Sequence, residues 1–294
     1  MRTKAYKRLL TRGAESGEIP ADIAAEVLRQ IDERGKMTPE IYADFTERLA
    51  ERGLYSTYTT PYNDQAAPIT GDHKYESKNF FYKIFKGIIL GIYYTLGVWL
   101  VRIGYGLRIK GRKNLPKRKH AAVTVSNHFS YLDILCVITA LGRRPMKAVV
   151  AAHNAGGSSA LGRALFRAAG MVPLASSLSA ARNFNAYLDA CVKKGKLIHF
   201  YAERAMWLNY PKPRPLLSGA FSLAAKNGIP VVPVFFAYRK KGWLRRLLHM
   251  HAPMTAYILP PLAPDMSLPV KARAEALCHA AEAAMEQAYA ASIV

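Results

Sequence analysis

The sequence predicts an α/β fold, in which a mostly parallel sheet is flanked by helices and preceded by an N-terminal helical appendage. From about residue 105 onward, short apolar runs alternate with segments of helical period, and this order is typical of a parallel sheet covered on both faces. Hydrophobic residues make up 51% of the 294 residues, which is enough for a sizeable core. The first ~50 residues show helical spacing alone.

The N-terminal part divides into a helical appendage, residues 1–54, and a linker, residues 55–76. ADIAAEVLRQIDERG has apolar residues at helical spacing and ends at Gly35, and Thr38 followed by Pro39 predicts the start of another helix. The stretch YSTYTTPYNDQAAPITGDHKYE is polar, rich in turn-forming residues and without a period, which is typical of a linker.

Residues 77–104 form an apolar segment that we expect to contact a membrane. Its uncharged part, Gly87 to Val101, has 15 residues and as a helix would be roughly 22 Å long, shorter than the ~30 Å hydrocarbon slab. Basic residues flank it on both sides, and this favours a helix that lies in the interface of an anionic leaflet. A buried core helix and a tilted span are the alternatives that the sequence leaves open.

The main body, residues 105–294, contains the alternating pattern. Strands are predicted at HAAVTVS, MKAVVAA, MVPLA, KLIHFYA, PVVPVFFAY and MTAYILPPL. Helices are predicted at SYLDILCVITALG, ALGRALFRAAG, ARNFNAYLDACVKKG, LLSGAFSLAAKNG and VKARAEALCHAAEAAMEQAYA. Catalytic and ligand-binding residues of such folds gather at the carboxyl ends of the strands, so residues that directly follow a strand are the first candidates for a site.

Positive charge is concentrated in the main body. Residues 1–76 hold 11 Lys and Arg against 13 Asp and Glu, whereas residues 77–294 hold 31 against 7. A cationic body favours a polyanion, such as nucleic acid, an anionic bilayer or a phosphate-rich cofactor. No nucleic-acid-binding module is recognisable, so nucleic acid is not an expected partner. The three cysteines are far apart in the sequence, which suits a reducing cytosol, and the chain opens without an apolar signal stretch. Together with the apolar segment, these features predict a peripheral or monotopic protein on the cytoplasmic face of the cell membrane.

His128 follows the strand HAAVTVS, at the end where chemistry is expected. Ser130-Tyr131-Leu132-Asp133 matches a capping box, which predicts that Ser130 caps the next helix and that Asp133 lies in its first turn. Residues five apart on one helix differ by ~140° around its axis, so His128 and Asp133 can meet only if His128 lies on the turn before the helix. A neutral imidazole could then take a proton from a substrate hydroxyl, while the carboxylate fixes its tautomer.

The residues around this pair resemble the 1-acylglycerol-3-phosphate (lysophospholipid) acyltransferase family. VSNHFSYLDI is similar to the family's Asn-His-x-Ser-x-x-Asp block, and HFYAERAMW stands where the family has Phe-Pro-Glu-Gly-Thr-Arg. GRKNLP before the first block, and SGAFSLAAKNGIPVVPVFF after the second, are similar to further family segments in the same order. The resemblance covers roughly residues 105–260.

This resemblance implies a glycerolipid acyltransferase-like fold and acyl transfer from acyl-CoA or an acyl-carrier protein to the hydroxyl of a lysophospholipid. It makes His128 the general base, Asp133 the residue that orients it, and Glu203 part of the acceptor site, and it places Asn127 among the substrate-binding residues. It implies no metal and no cofactor beyond the acyl donor as cosubstrate. The implied partners are the anionic membrane surface, the lysolipid acceptor and the acyl donor.

Two arginines of the family are missing, and one of them is the arginine expected after the strand MVPLA, where the sequence offers only Arg182 several residues later. The arginine that follows the glutamate by three residues is Met206 here, and we expect Arg204, Lys212 and Arg214 to supply positive charge to the acceptor instead. These differences also motivate an alternative function, that of a non-catalytic basic protein that binds anionic lipid or a membrane surface.

Other candidate groups have simpler explanations. His153 and His199 lie in or after apolar strands and are predicted to be packed rather than catalytic. A basic cluster comprises Arg239, Lys240, Lys241, Arg245 and Arg246. It could be a solvated loop or could contact lipid headgroups, and the sequence favours neither interpretation.

Overall fold

The structure is a computed structural model, and it describes residues 1–62, 68–77, 79–142, 144–152 and 160–293. Within these residues, the strands form one sheet in the order β1-β7-β6-β2-β5-β3-β4. Neighbouring strands are parallel except for the antiparallel pair β6 and β7. The strands are β1 (Arg108–Lys110), β2 (Ala122–Ser126), β3 (Met146–Val150), β4 (Met171–Pro173), β5 (Leu197–Phe200), β6 (Val231–Tyr238) and β7 (Met254–Ile258). The predicted α/β fold with a mostly parallel sheet is confirmed.

Helices flank this sheet and also form the N-terminal part. Their bounds are Thr3–Glu15, Ala21–Arg34, Pro39–Glu51, Phe80–Ile92, Val98–Gly104, Asp133–Leu141, Ala160–Ala168, Leu178–Lys193, Ser222–Asn227, Trp243–Leu247 and Val270–Ile293. A π-helical stretch, Tyr93–Gly97, joins Phe80–Ile92 to Val98–Gly104, and 3₁₀ turns occupy Arg112–Asn114 and Ser218–Phe221. Two elements are not predicted by the sequence. Strand β1 has only three residues, and the helix Trp243–Leu247 has only five.

Two apolar layers, one on each face of the sheet, form the core of the main body. Val123, Val125 and Phe235 face the helices Leu178–Lys193 and Val270–Ile293. Val232, Val234 and Phe236 face the helix Asp133–Leu141 and the end of Val98–Gly104. Successive residues of one strand point to opposite faces, so β6 serves both layers. Full burial of each such side chain contributes about 1.5–3 kcal/mol.

The carboxyl ends of the central strands bring several loops together. Strands β2, β5 and β6 are mutually parallel neighbours, so the segments after Ser126, Phe200 and Tyr238 leave the sheet at the same edge. Strand β7 runs antiparallel to β6, and the connection between them, residues 239–253, therefore stays at this edge. Residues that follow three different strands can consequently form one site there.

The N-terminal helices pack against the loop that follows β5. Their apolar core, which includes Leu10, Val27 and Phe45, continues through Ala205 and Trp207 of the main body. All of these side chains are fully buried. The N-terminal helices and the loop after β5 therefore share one core.

Residues 55–62 of the predicted linker pack along the same loop, and the described parts of the linker, residues 55–62 and 68–76, have no regular secondary structure. The Trp207 Nε1–H donates to the Thr57 carbonyl at 3.0 Å, and the Thr59 hydroxyl donates to the Met206 carbonyl at 3.1 Å. The backbone N–H of Leu208 donates to the Tyr42 hydroxyl at 2.9 Å. Through these bonds, residues from the N-terminal part of the chain hold the loop after β5 in place.

The apolar segment is a helical rod, Phe80–Gly104, that exposes most of its apolar side chains. In its most apolar stretch of 18 residues, only 11% are buried inside the protein, and the Phe81 side chain is 78% exposed. The alternative of a buried core helix is therefore wrong. The rod is long and apolar enough to cross a membrane on length and composition alone. An exposed apolar surface of this size indicates association with a membrane.

Candidate active site

His128 and Asp133 meet as the sequence requires. His128 lies on the loop after β2, and Asp133 is the first residue of the helix Asp133–Leu141. The imidazole Nδ1 and the carboxylate Oδ2 are hydrogen-bonded. The histidine ring thus folds back from the pre-helical turn over the first helical turn.

The capping-box interpretation of this segment is wrong. Leu132 occupies the N-cap position and provides no side-chain cap. The Ser130 hydroxyl accepts instead from the Leu132 backbone N–H at 3.2 Å and bonds to the Tyr105 hydroxyl at 2.8 Å. The Asp133 carboxylate is consequently used by side chains of the site and not by the helix start.

Tyr201 is a third member of the site, and sequence reasoning misses it. Its hydroxyl donates to Asp133 Oδ1 at 2.8 Å, and its ring stacks on that of His128 at 4.1 Å between centroids. Burial, together with the Asp133 charge, raises the pKa of Tyr201 well above its usual value, so the phenol stays protonated and acts as a donor. The available signal is its place in HFYAERAMW, where the resembled block has phenylalanine.

The hydrogen bonds around Asp133 select the tautomer of His128. The carboxylate oxygens accept one bond from Tyr201 and one from the imidazole Nδ1–H. A proton on Nδ1 leaves a lone pair on Nε2, which is the form of histidine that can accept a proton from a substrate.

The histidine opens on a large cavity of about 680 Å³. Its polar lining residues include His128, Tyr58, Thr60, Ser130, Tyr201 and Arg204. Its other walls are mostly apolar and include Val149, Phe166, Met171, Phe184, Leu188 and Leu223. A volume of this size is typical of a site for a small or medium-sized ligand, and its walls suit a hydrocarbon chain.

Glu203 and Arg214 form a buried ion pair beside this cavity, and the side chain of each is only 1% exposed. Glu203 Oε2 accepts from the backbone N–H of His128 at 3.0 Å and from Arg214 Nη2 at 2.7 Å. Glu203 Oε1 accepts from the backbone N–H of Arg214 at 3.0 Å. Neither residue is among the described residues that line the cavity. In this structure the pair positions the loop that carries His128, and a contact of either residue with the acceptor stays a prediction.

Arg214 also links this ion pair to the N-terminal part of the chain. Its guanidinium donates to the carbonyls of Tyr55 at 2.9 Å and Ala205 at 2.5 Å, and it lies 4.7 Å from the centre of the Trp207 ring. A buried arginine with this set of acceptors is satisfied and has a fixed position.

The other expected substrate-binding residues differ in their placement. Asn127 is buried, and its amide exchanges hydrogen bonds of 3.1 and 2.9 Å with the backbone of Phe236 on β6, so it positions the loop. Lys212 is exposed and is not among the described residues of the cavity wall. Arg204 lines the cavity, in a left-handed backbone conformation with φ +67°, and lies 5.4 Å from the centre of the Tyr58 ring.

His199 is packed, as the sequence predicts. It is fully buried in β5, and its ring nitrogens bond to the hydroxyls of Thr124 at 2.9 Å and Ser126 at 3.4 Å. Burial, with a smaller contribution from His128, lowers the pKa of His199 to about 3, so its ring is neutral at pH 7. The corresponding prediction for His153 lies outside the described residues.

Parts of this chain resemble known acyltransferases. Residues 106–237, which contain His128, Asp133, Tyr201 and Glu203, match the family model described as Acyltransferase. A 1-acyl-sn-glycerol-3-phosphate acyltransferase BAT2, chloroplastic, of Brassica napus is 33% identical over 133 residues, which are 44% of this chain and 37% of the relative. The fold is also similar to a crystal structure of the 1-acyl-sn-glycerophosphate (LPA) acyltransferase PlsC from Thermotoga maritima. The match covers 70% of this chain and 83% of the Thermotoga chain, with 18% sequence identity and a TM-score of 0.44.

Proposed function

We propose that this chain, whose residues 106–237 match the family model described as Acyltransferase, moves a fatty acyl group from a thioester to the hydroxyl of a lysophospholipid-type acceptor. Acyl-CoA or an acyl-carrier protein would be the donor, and 1-acylglycerol-3-phosphate is the acceptor named for the Brassica relative. The single observation that carries the proposal is the His128–Asp133–Tyr201 cluster, which opens on a mostly apolar cavity.

The reaction needs a base, because an alcohol that keeps its proton attacks a thioester slowly. In the proposed mechanism, His128 Nε2 takes the proton of the acceptor hydroxyl as its oxygen bonds to the thioester carbonyl carbon. The tetrahedral intermediate then releases the thiolate, which receives the proton back from the imidazolium. Asp133 stabilises that imidazolium, and the apolar walls of the cavity would hold the acyl chain.

We assign Arg204 to the acceptor phosphate in place of the arginine that Met206 replaces. Its side chain is exposed and reaches the cavity wall, and a guanidinium can bind a phosphate with two parallel hydrogen bonds. Replacement by Gln should raise the KM for 1-acylglycerol-3-phosphate roughly tenfold, with little change in kcat, because hydrogen bonds to charged groups contribute about 1.5–3 kcal/mol. Steady-state assays would measure this. Lys212→Gln is the matched control, and an equal effect of the two changes would refute the assignment.

A direct assay tests the proposed function. The full chain, purified with anionic vesicles, is supplied with acyl-CoA or acyl-carrier protein and with three acceptors: 1-acylglycerol-3-phosphate, a lysophospholipid with a larger headgroup, and monoacylglycerol. We expect acyl transfer to a lysophospholipid. Vesicle binding without transfer to any acceptor would instead support the alternative of a non-catalytic lipid-binding protein.

A further inference from the structure

The connection between β6 and β7, residues 239–253, exposes an apolar surface that the proposed reaction does not use. The helix Trp243–Leu247 and the residue after it carry four large apolar side chains at helical spacing: Trp243, Leu244, Leu247 and Leu248. Trp243 is 74% exposed and Leu247 is 66% exposed. Neighbouring exposed side chains of this size are unfavourable in water and mark an interaction surface.

Hydrogen bonds join this connection to the C-terminal end of the rod Phe80–Gly104. The Arg245 guanidinium donates to the carbonyl of Ile103 at 2.7 Å and to that of Gly104 at 2.8 Å. Arg239 donates to the carbonyl of Gly106 at 2.6 Å. Arg245 satisfies carbonyls that the helix leaves free at its end, where positive charge is also favourable, and Arg239 bonds to the chain just beyond that end. The two exposed apolar surfaces are therefore held side by side.

The charge of this connection fits a bilayer better than a protein groove. Residues 239–253 contain five Lys and Arg and no Asp or Glu. Of these, Lys240, Lys241 and Arg246 are exposed beside the apolar side chains. Tryptophan and leucine that enter the boundary region, with lysine and arginine at the level of anionic headgroups, are typical of segments that lie in a membrane interface.

The connection also lies at the edge of the sheet that carries the catalytic residues. It leaves β6 at the carboxyl end, the same edge at which His128 follows β2. A bilayer that contacts the connection would thus lie at the same end of the sheet as His128, which lines the cavity.

We propose that residues 239–250 are a second membrane-contacting segment, which lies in the interface of an anionic leaflet beside the end of the rod Phe80–Gly104. The two contacts together fix the orientation of the protein, with the carboxyl edge of the sheet against the bilayer. The proposal rests on membrane association of the rod and is independent of the acyl-transfer reaction.

Tryptophan fluorescence tests whether the segment enters the bilayer. In the full chain with Trp99→Phe, the tryptophans that remain are Trp207, which is fully buried, and Trp243. Vesicles of phosphatidylglycerol and brominated phosphatidylcholine should quench the emission of Trp243 and shift it to shorter wavelength. Trp99→Phe combined with Trp243→Phe is the control and should show no quenching. Protein that floats with the vesicles while Trp243 stays unquenched would overturn the proposal.

Vesicle flotation tests the basic residues. Lys240→Glu combined with Lys241→Glu should lower the partition coefficient on anionic vesicles at low salt by roughly fivefold or more per residue, since a lysine near an anionic surface contributes about that factor. Lys271→Glu, in the C-terminal helix, is the charge control, and Met266→Ser, an exposed apolar residue after β7 at the opposite edge, controls for lost apolar surface. Equal partition of the double variant and the wild type, or an equal loss in the controls, would count against the segment. Acyl transfer to a water-soluble short-chain acceptor should be unchanged in the double variant, which separates failure of this proposal from failure of the proposed function.

Discussion

Replacement of Asp133 by Asn is expected to lower kcat for acyl transfer by roughly 10²- to 10⁴-fold. The carboxylate accepts from the imidazole Nδ1–H and from the Tyr201 hydroxyl. An amide in its place can donate to Nδ1, which favours the tautomer with the proton on Nε2, and it also removes the charge that stabilises the imidazolium. Steady-state kinetics would measure the loss, and the KM of the acyl donor should change little.

Tyr201→Phe is the matched control for Asp133→Asn. The phenylalanine keeps the ring that stacks on His128 at 4.1 Å and removes only one hydrogen bond to Asp133. A hydrogen bond to a charged group contributes about 1.5–3 kcal/mol, so the expected loss of kcat is roughly 10- to 100-fold, at or below the lower end of the loss expected for Asp133→Asn. Greater residual activity in Asp133→Asn than in Tyr201→Phe would contradict the assigned role of the carboxylate.

Replacement of Glu203 by Gln is expected to lower the free energy of unfolding by roughly 3–5 kcal/mol. Glutamine has nearly the same shape and could still accept from the His128 backbone, but the Arg214 guanidinium would remain buried without a counter-charge. Thermal or urea unfolding, followed by circular dichroism in detergent, would measure the change.

The double variant Glu203→Gln with Arg214→Met should recover much of that loss, because it removes both charges. Asp22→Asn serves as the surface control. It breaks an exposed ion pair with Arg52, and such pairs contribute about 0–1 kcal/mol. If Glu203→Gln and Asp22→Asn had equal effects, the ion pair of Glu203 and Arg214 would have no special importance for the fold.

The sequence predicts the pairing of His128 with Asp133 because the two residues are close in the chain. His128 and Asp133 are five residues apart, and the strand and helix that carry them are both visible as patterns. Tyr201 is different. It directly follows another strand, β5, and a tyrosine after an apolar run is too common at strand ends to indicate a site. Its hydrogen bond to Asp133 exists because β2 and β5 pair in parallel, which brings their carboxyl ends together.

The sequence does not predict the true partners of Glu203, because they come from distant parts of the chain. The resemblance predicts that this glutamate belongs to the acceptor site. In the structure its carboxylate accepts hydrogen bonds from Arg214 and from the His128 backbone. Arg214 in turn depends on the carbonyl of Tyr55, 159 residues away in the chain. Residues 55–62 show no period, so nothing in the sequence indicates that they cover this site. Period and composition predict elements well, whereas contacts between irregular segments depend on the assembled fold.

The proposed mechanism requires the His128 imidazole to act as the base, and single-turnover acyl transfer with His128→Gln would show whether it does. Wild-type and variant protein would be compared in the same anionic vesicles, at equal folded fraction and with acyl-CoA saturating. We expect a rate roughly 10²- to 10⁴-fold lower in the variant, with unchanged binding of acyl-CoA. Equal rates in the two proteins would contradict this role of His128.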